Sequence, residues 1–135
     1  MTTKLRPEDI LSQYKLKNTA CRKMILNELI KSETAMTEQE IKENSEDIFD
    51  RVTLYRTLRT LEHAGIIHSI VLSNNVVKYA LTKFDADKVH SHFHCTRCND
   101  VECLHDAVEV KTNLPAGYIL HDLDIVVNGI CNNCN

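Results

Sequence analysis

Apolar residues recur at helical spacing early in the chain. Met24, Ile25, Leu26, Leu29 and Ile30 fall within residues 19–30 and predict an amphipathic helix. Thr37 and Glu40 have the spacing of a capping box, in which the hydroxyl accepts from an early backbone amide and the carboxylate reaches back. A short helix over 38–44 follows from it. Asp50 is placed to cap a third helix, and Gly65 to end it in the left-handed conformation. Within that helix Val52, Leu54, Leu58 and Leu61 are the expected buried contacts. Thr53, Arg56, Thr57 and Thr60 fall at i, i+3, i+4 and i+7 and form a polar face without a carboxylate. After Gly65 the pattern changes to β-branched runs over 66–72 and 76–81, separated by Ser73, Asn74 and Asn75, which predicts a hairpin. Three helices and a hairpin in this order give a winged helix-turn-helix.

The polar face of the third helix has two readings. Arginine and threonine together suit the major groove of DNA, where they meet phosphates and base edges. The plainer reading is an ordinary solvated face. Lys15, Lys17, Arg22, Arg51, Arg56 and Arg59 are candidate phosphate contacts. Regular patterning then stops in a polar stretch, so the organisation reads as a domain over 1–82, a linker over 83–89 and a second domain over 90–135. Charge changes near the same boundary. Residues 1–82 hold 12 Lys and Arg against 11 Asp and Glu, a net of +1, whereas residues 83–135 hold 4 against 8, a net of −4.

Cysteine and histidine sharpen the division. Five of the six cysteines and five of the seven histidines lie beyond residue 89. In a chain whose first residues lack the apolar run of a signal peptide, this points to metal rather than disulfides, with the cytoplasm as the expected compartment. Cys95-Thr-Arg-Cys98 and Cys131-Asn-Asn-Cys134 are two CxxC pairs with 32 residues between them. Two such turns supply the closed tetrahedral shell of four thiolates that structural zinc accepts. The competing readings are a redox CxxC pair or disulfides. The long spacer requires folded structure between the knuckles: strands near 101–105 and 125–130 and a helix near 107–114. His90, His92 and His94 alternate and would share one face of a strand. Antiparallel pairing of 101–105 with Phe93 and its neighbours would bring Cys103 toward His92 or His90. Imidazoles and one thiolate suit zinc, and also iron, cobalt or nickel. Cys21 reads as a small core residue, and His63 and His68 as structural.

In this combination and order the sequence resembles the ferric-uptake-regulator family of bacterial metal-dependent repressors. The resemblance runs from about Leu16 to Cys134. It is carried by Asn18-Thr-Ala-Cys-Arg22, Arg51-Val-Thr-Leu-Tyr-Arg-Thr-Leu58, Leu61-Glu-His-Ala-Gly-Ile-Ile67, His90-x-His92-x-x-Cys95-x-x-Cys98 and Gly129-Ile-Cys-Asn-Asn-Cys134. It implies an α+β fold: an N-terminal winged helix-turn-helix domain followed by a small α/β zinc-binding dimerisation domain. It implies a homodimer that binds double-stranded DNA at an AT-rich inverted repeat, with no membrane association. Lys17, Arg22, Thr53, Tyr55 and Arg56 would serve DNA contact, with Arg22 supporting a phosphate. Cys95, Cys98, Cys131 and Cys134 would hold Zn2+.

The family's regulatory site is only partly matched. Two of its usual histidines correspond to His90 and His92, but Cys103, with Glu102 beside it, stands where a carboxylate is usual. Ala35 and Ala80 occupy two further ligand positions, and Asp85 or Asp87 could replace the missing carboxylate. The tentative set is therefore His90, His92, Cys103 and Asp85, for a second Zn2+, Fe2+ or Mn2+. An additional family site is also incomplete, with Val89, Ser91 and Leu123 at its ligand positions. In the family scheme metal ties the two domains together and sets the spacing of the reading heads. The expectation is a metal-responsive repressor. The alternative is a zinc-stabilised DNA-binding regulator that is metal-independent or senses redox through Cys103.

Composition narrows the classes. With 135 residues, 43% hydrophobic and 26% charged, the chain is globular. No stretch approaches the roughly 20 apolar residues of a membrane span. The phosphate-binding glycine loops and the GxSxG elbow are missing, which weakens an enzyme reading. A zinc enzyme built on His90, His92 and Cys103 would lack a recognisable general base. A metal-storage or protein-interaction module is the remaining class.

Overall fold

The computed structural model describes residues 6–32, 34–82, 89–104, 113–120 and 123–135, with the backbone alone at Val89 and His90. The chain divides into two compact units, Met1–Thr82 and Lys83–Asn135.

The first unit opens with α1 (Pro7–Gln13), which no feature of the apolar pattern had announced. Proline at its start fits a position whose amide has no helical partner, and Glu8 and Asp9 lie near the positive end of its dipole. α2 (Ala20–Lys31) is capped by Thr19, whose side chain accepts from the Arg22 amide at 3.3 Å. β1 (Met36–Thr37) leads into α3 (Glu38–Asn44). Both halves of the expected capping box are present: the Glu40 amide donates to Thr37 Oγ1 at 3.1 Å, and the Thr37 amide to Glu40 Oε1 at 3.2 Å.

α4 (Arg51–His63) starts and stops where its sequence demands, with two qualifications. Asp50 holds the N-cap position in extended conformation, but its side chain makes no capping hydrogen bond. The Thr53 hydroxyl instead engages the carboxyl and holds it below the usual carboxylate range. Val52, an expected core residue, is 55% exposed, because it lies on the side of α4 opposite the buried Leu54, Leu58 and Leu61. The C-terminus closes as a Schellman motif. The Ile66 amide donates to Leu61 and the Gly65 amide to Glu62, with Gly65 at φ +81.

β2 (Ile67–Val71) and β3 (Val77–Leu81) form the expected hairpin, with Ile67 opposite Leu81 and Val71 opposite Val77. Asn75, at φ +64, turns the chain between them. β1 adds to the other side of β3, giving the sheet order β1-β3-β2. Helices and sheet enclose one apolar core, including Leu11, Ile25, Leu26, Ile41, Leu54, Leu58, Leu61 and Ile67. Cys21 belongs to it, and burial pushes its thiol up, so it stays protonated.

In the second unit β4 (Val89–Cys95) is central, in the order β5-β4-β6. β5 (Val101–Cys103) returns antiparallel, and β6 (Leu123–Gly129) runs parallel to β4. Parallel neighbours need a long crossover. That topology accounts for the 32-residue spacer between the CxxC pairs. The helix expected near 107–114 falls mostly outside the described residues; Asn113 and Leu114, which are described, are not helical.

Candidate metal centre and nucleic-acid interface

Parallel pairing brings the two CxxC turns together. β4 ends at Cys95 opposite Gly129 of β6, so both strands run into their knuckles at the same edge of the sheet. The Thr96 amide donates to the Gly129 carbonyl at 2.8 Å, and Arg97 Nη1 to the Cys134 carbonyl at 2.8 Å, tying one knuckle to the other. Gly129 packs closely on β4: a Cβ there would lie 3.1 Å from the Phe93 ring, which would have to give by a few tenths of an ångström.

The ligand atoms of Cys95, Cys98, Cys131 and Cys134 all lie within 4.8 Å of one another. Cys98 Sγ and Cys131 Sγ are 3.8 Å apart. A tetrahedral shell with zinc–sulfur bonds of about 2.3 Å has sulfur–sulfur edges of about 3.8 Å, so this donor set fits zinc. The separation also far exceeds a disulfide bond of about 2 Å, and all six cysteines are free. Backbone amides of Cys98 and Cys131 donate to Cys95 Sγ, the latter at 3.4 Å, and pull its pKa down to about 6. Cys134, facing the thiols of Cys131 and Cys98, is pushed up to about 12. The cluster thus sets one thiol poised to ionise, Cys95, beside Cys98 and Cys134, whose thiols are pushed up.

His92 and Cys103 sit directly opposite each other across β4 and β5. A His92 ring nitrogen and Cys103 Sγ lie within 4.8 Å of each other. His92 is only 3% exposed. Glu102 pairs with Phe93 instead, so the alternation of strand faces puts its carboxylate on the other side. His94 has a different task from its alternating neighbours. It is buried, with Nδ1 2.9 Å from Asn128 Oδ1 and Nε2 3.3 Å from Asn99 Oδ1. Asn99, at φ +65, closes the first knuckle, and Asn128 lies on the strand leading to the second. His94 therefore links the two knuckles, a role that spacing alone did not reveal. His90 is placed by its backbone in β4, opposite Asp124; Asp85 and Asp87 lie outside the described residues. Ala35 and Ala80 are buried and offer no ligand atom.

In the first unit, α4 turns Arg51, Thr53, Tyr55, Arg56 and Arg59 to solvent beside Val52, and none of its exposed residues is a carboxylate. Tyr55 is 50% exposed. Thr57 and Thr60, only partly exposed, donate their hydroxyls back to the carbonyls of Thr53 and Arg56. Lys17 is exposed, and its carbonyl accepts from Arg22 Nη1 at 2.9 Å, so Arg22 braces the turn that carries Lys17.

A winged helix-turn-helix followed by a small sheet with a four-thiol centre defines a metal-binding winged-helix protein. The model of the Ferric uptake regulator family matches residues 13–127. The Ferric uptake regulation protein of Campylobacter jejuni is 33% identical over 140 residues, covering 96% of this chain and 87% of that protein. Its namesake in Bacillus subtilis is 31% identical over 99 residues, covering 70% of this chain and 66% of that protein. Among solved structures, a zinc uptake regulator complexed with zinc and DNA matches with a TM-score of 0.69 at 23% identity, over 94% of this chain and 89% of that one. The Helicobacter pylori ferric uptake regulator, described as having three functional metal binding sites, matches with a TM-score of 0.65 at 21% identity, over 99% of this chain and 97% of that one. The chain belongs to the ferric uptake regulator family, whose members are transcriptional regulators and not enzymes. Among the described residues no helix is long and apolar enough to cross a membrane.

Proposed function

We propose that this protein is a metal-responsive, sequence-specific DNA-binding repressor, acting in the cytoplasm as a homodimer on an AT-rich inverted repeat. The observation that carries this reading is the outer side of α4. Three arginines, Thr53 and Tyr55 surround the exposed methyls of Val52. Arginine reads guanine edges and phosphates, and apolar groups meet thymine methyls. Lys17, held by Arg22, supplies a further cationic contact. Two-fold symmetry doubles a reading head that is small on its own.

Residues 1–82 form the DNA-binding domain, 83–89 the linker, and 90–135 the dimerisation and metal-binding domain. Cys95, Cys98, Cys131 and Cys134 hold a structural zinc with no open position, so this metal supplies folding energy rather than chemistry. His90, His92 and Cys103, with Asp85 as carboxylate, hold the regulatory ion. That ion's preference for one arrangement of the protein shifts its population toward the DNA-binding form. The buried Ala35 and Ala80 favour one competing reading: a zinc-stabilised regulator that binds DNA without a signal metal, or reports oxidation at Cys103.

Replacing Tyr55 and Arg56 together with alanine tests the DNA assignment. The double variant should retain native melting and zinc content while losing specific binding, measured by anisotropy against a scrambled duplex. Normal binding by the variant would remove α4 as the reading head.

A further inference from the structure

We infer that the first turn of α4 sets the base preference of this protein: Val52 reads a thymine methyl group in the major groove, and Arg51 holds the helix end on a neighbouring phosphate. This rests on the DNA-binding reading above and adds to Tyr55 and Arg56 two residues with separate tasks. Both residues break the local rules of the helix that carries them. The N-terminus of a helix is the positive end of its dipole and favours carboxylates, yet Arg51 opens α4 and its first turn holds no acidic residue. α1 and α3 follow the rule, with Glu8 and Asp9, and Glu38 and Glu40, in their first turns. α2 departs from it at Arg22, which braces Lys17. Val52 is apolar and β-branched but 55% exposed, while Leu54, Leu58 and Leu61 of the same helix are fully buried. Such exceptions in an otherwise consistent helix mark function.

Geometry divides the two tasks. At about 100° per residue, Val52, Arg56 and Arg59 fall at i, i+4 and i+7 and share the side of α4 opposite the leucines, with Tyr55 beside them. Val52 heads that stripe at the N-terminal end, the part of a recognition helix that reaches base edges. Its side chain is stiff in a helix and presents fixed methyls, and the thymine methyl is the apolar group on the major-groove edge. Arg51 is exposed but off the stripe, three and seven residues before the buried Leu54 and Leu58. It therefore flanks the groove, where the phosphates run.

The test uses the full chain in excess zinc and the duplexes it enriches from a random pool. Replacing each thymine of one half-site in turn by deoxyuridine removes a single methyl group. At one position this should weaken wild-type binding about fourfold, the worth of burying one methyl, and should leave binding by Val52→Ala unchanged. Arg51→Gln should weaken binding to enriched and scrambled duplexes alike and lower the salt slope by about 1. Both variants should melt at or above the wild-type temperature, because each relieves a local penalty of the helix, and a merely structural role predicts the opposite. Wild-type binding that no deoxyuridine weakens, equal sensitivity in Val52→Ala, or an unchanged salt slope in Arg51→Gln would overturn the inference while leaving DNA binding intact. A pool from which the wild type enriches no sequence would instead sink the proposed function.

Discussion

The interior of the first unit is a contiguous set of Leu11, Ile25, Leu26, Leu29, Ile41, Leu54, Leu58 and Leu61, drawn from all four helices. Among the described residues of the second unit, the buried side chains are Cys95 and Val101 together with Ser91, His92 and His94. One unit removes hydrocarbon from water, and the other gathers sulfur and imidazole around places for a cation. Small units with little apolar core generally depend on such staples. The first unit should therefore be stable without metal, and the second should not.

The largest effect expected from this contrast comes from the thiols. Cys95→Ser, or removal of metal with a strong chelator, should forfeit much of the roughly 10–16 kcal/mol that structural zinc supplies in peptides. Amide exchange should then become fast in β4 and β6 while α2 and α4 stay protected. Equal loss of protection in both units would erase the distinction. Leu58→Ala provides the reverse cut. A cavity beside Leu54 and Leu61 should cost about 2–5 kcal/mol, lowering the first unit's melting temperature without changing zinc content. A smaller effect is expected at His94, where leucine would leave the Asn99 and Asn128 side chains without the imidazole between them. A loss of about 1–3 kcal/mol is expected, with faster zinc release in a chelator competition. Unchanged release would mean that His94 does not hold the knuckles together. Thr37→Ala should be mildest, at about 1 kcal/mol from the capping box, visible only in the melting of the first unit.

These effects also mark how much was legible beforehand. Apolar period located α2 and α4, and cap chemistry alone located α3, whose one buried residue is Ile41. α1 escaped because Ile10 and Leu11 are its only buried residues, too few to establish a period. β1 escaped because two residues cannot alternate visibly. Val52 was misplaced because a β-branched residue next to a core position resembles core until the helix is oriented by Leu54 and Leu58. The two CxxC pairs were legible as a four-thiol centre, and the register of Cys103 against His92 matched one of the two pairings expected. The use of His94 was not legible, since its partners lie at positions 99 and 128 and only the folded sheet brings them to it.

The claim that metal governs DNA recognition is tested by measuring specific-duplex affinity on protein with one zinc per protomer, before and after filling the second centre. Zinc at the second centre should tighten binding to the AT-rich inverted repeat and leave binding to a scrambled duplex unchanged. Equal affinity in both metal states would contradict it, leaving a zinc-stabilised DNA-binding protein without a metal signal.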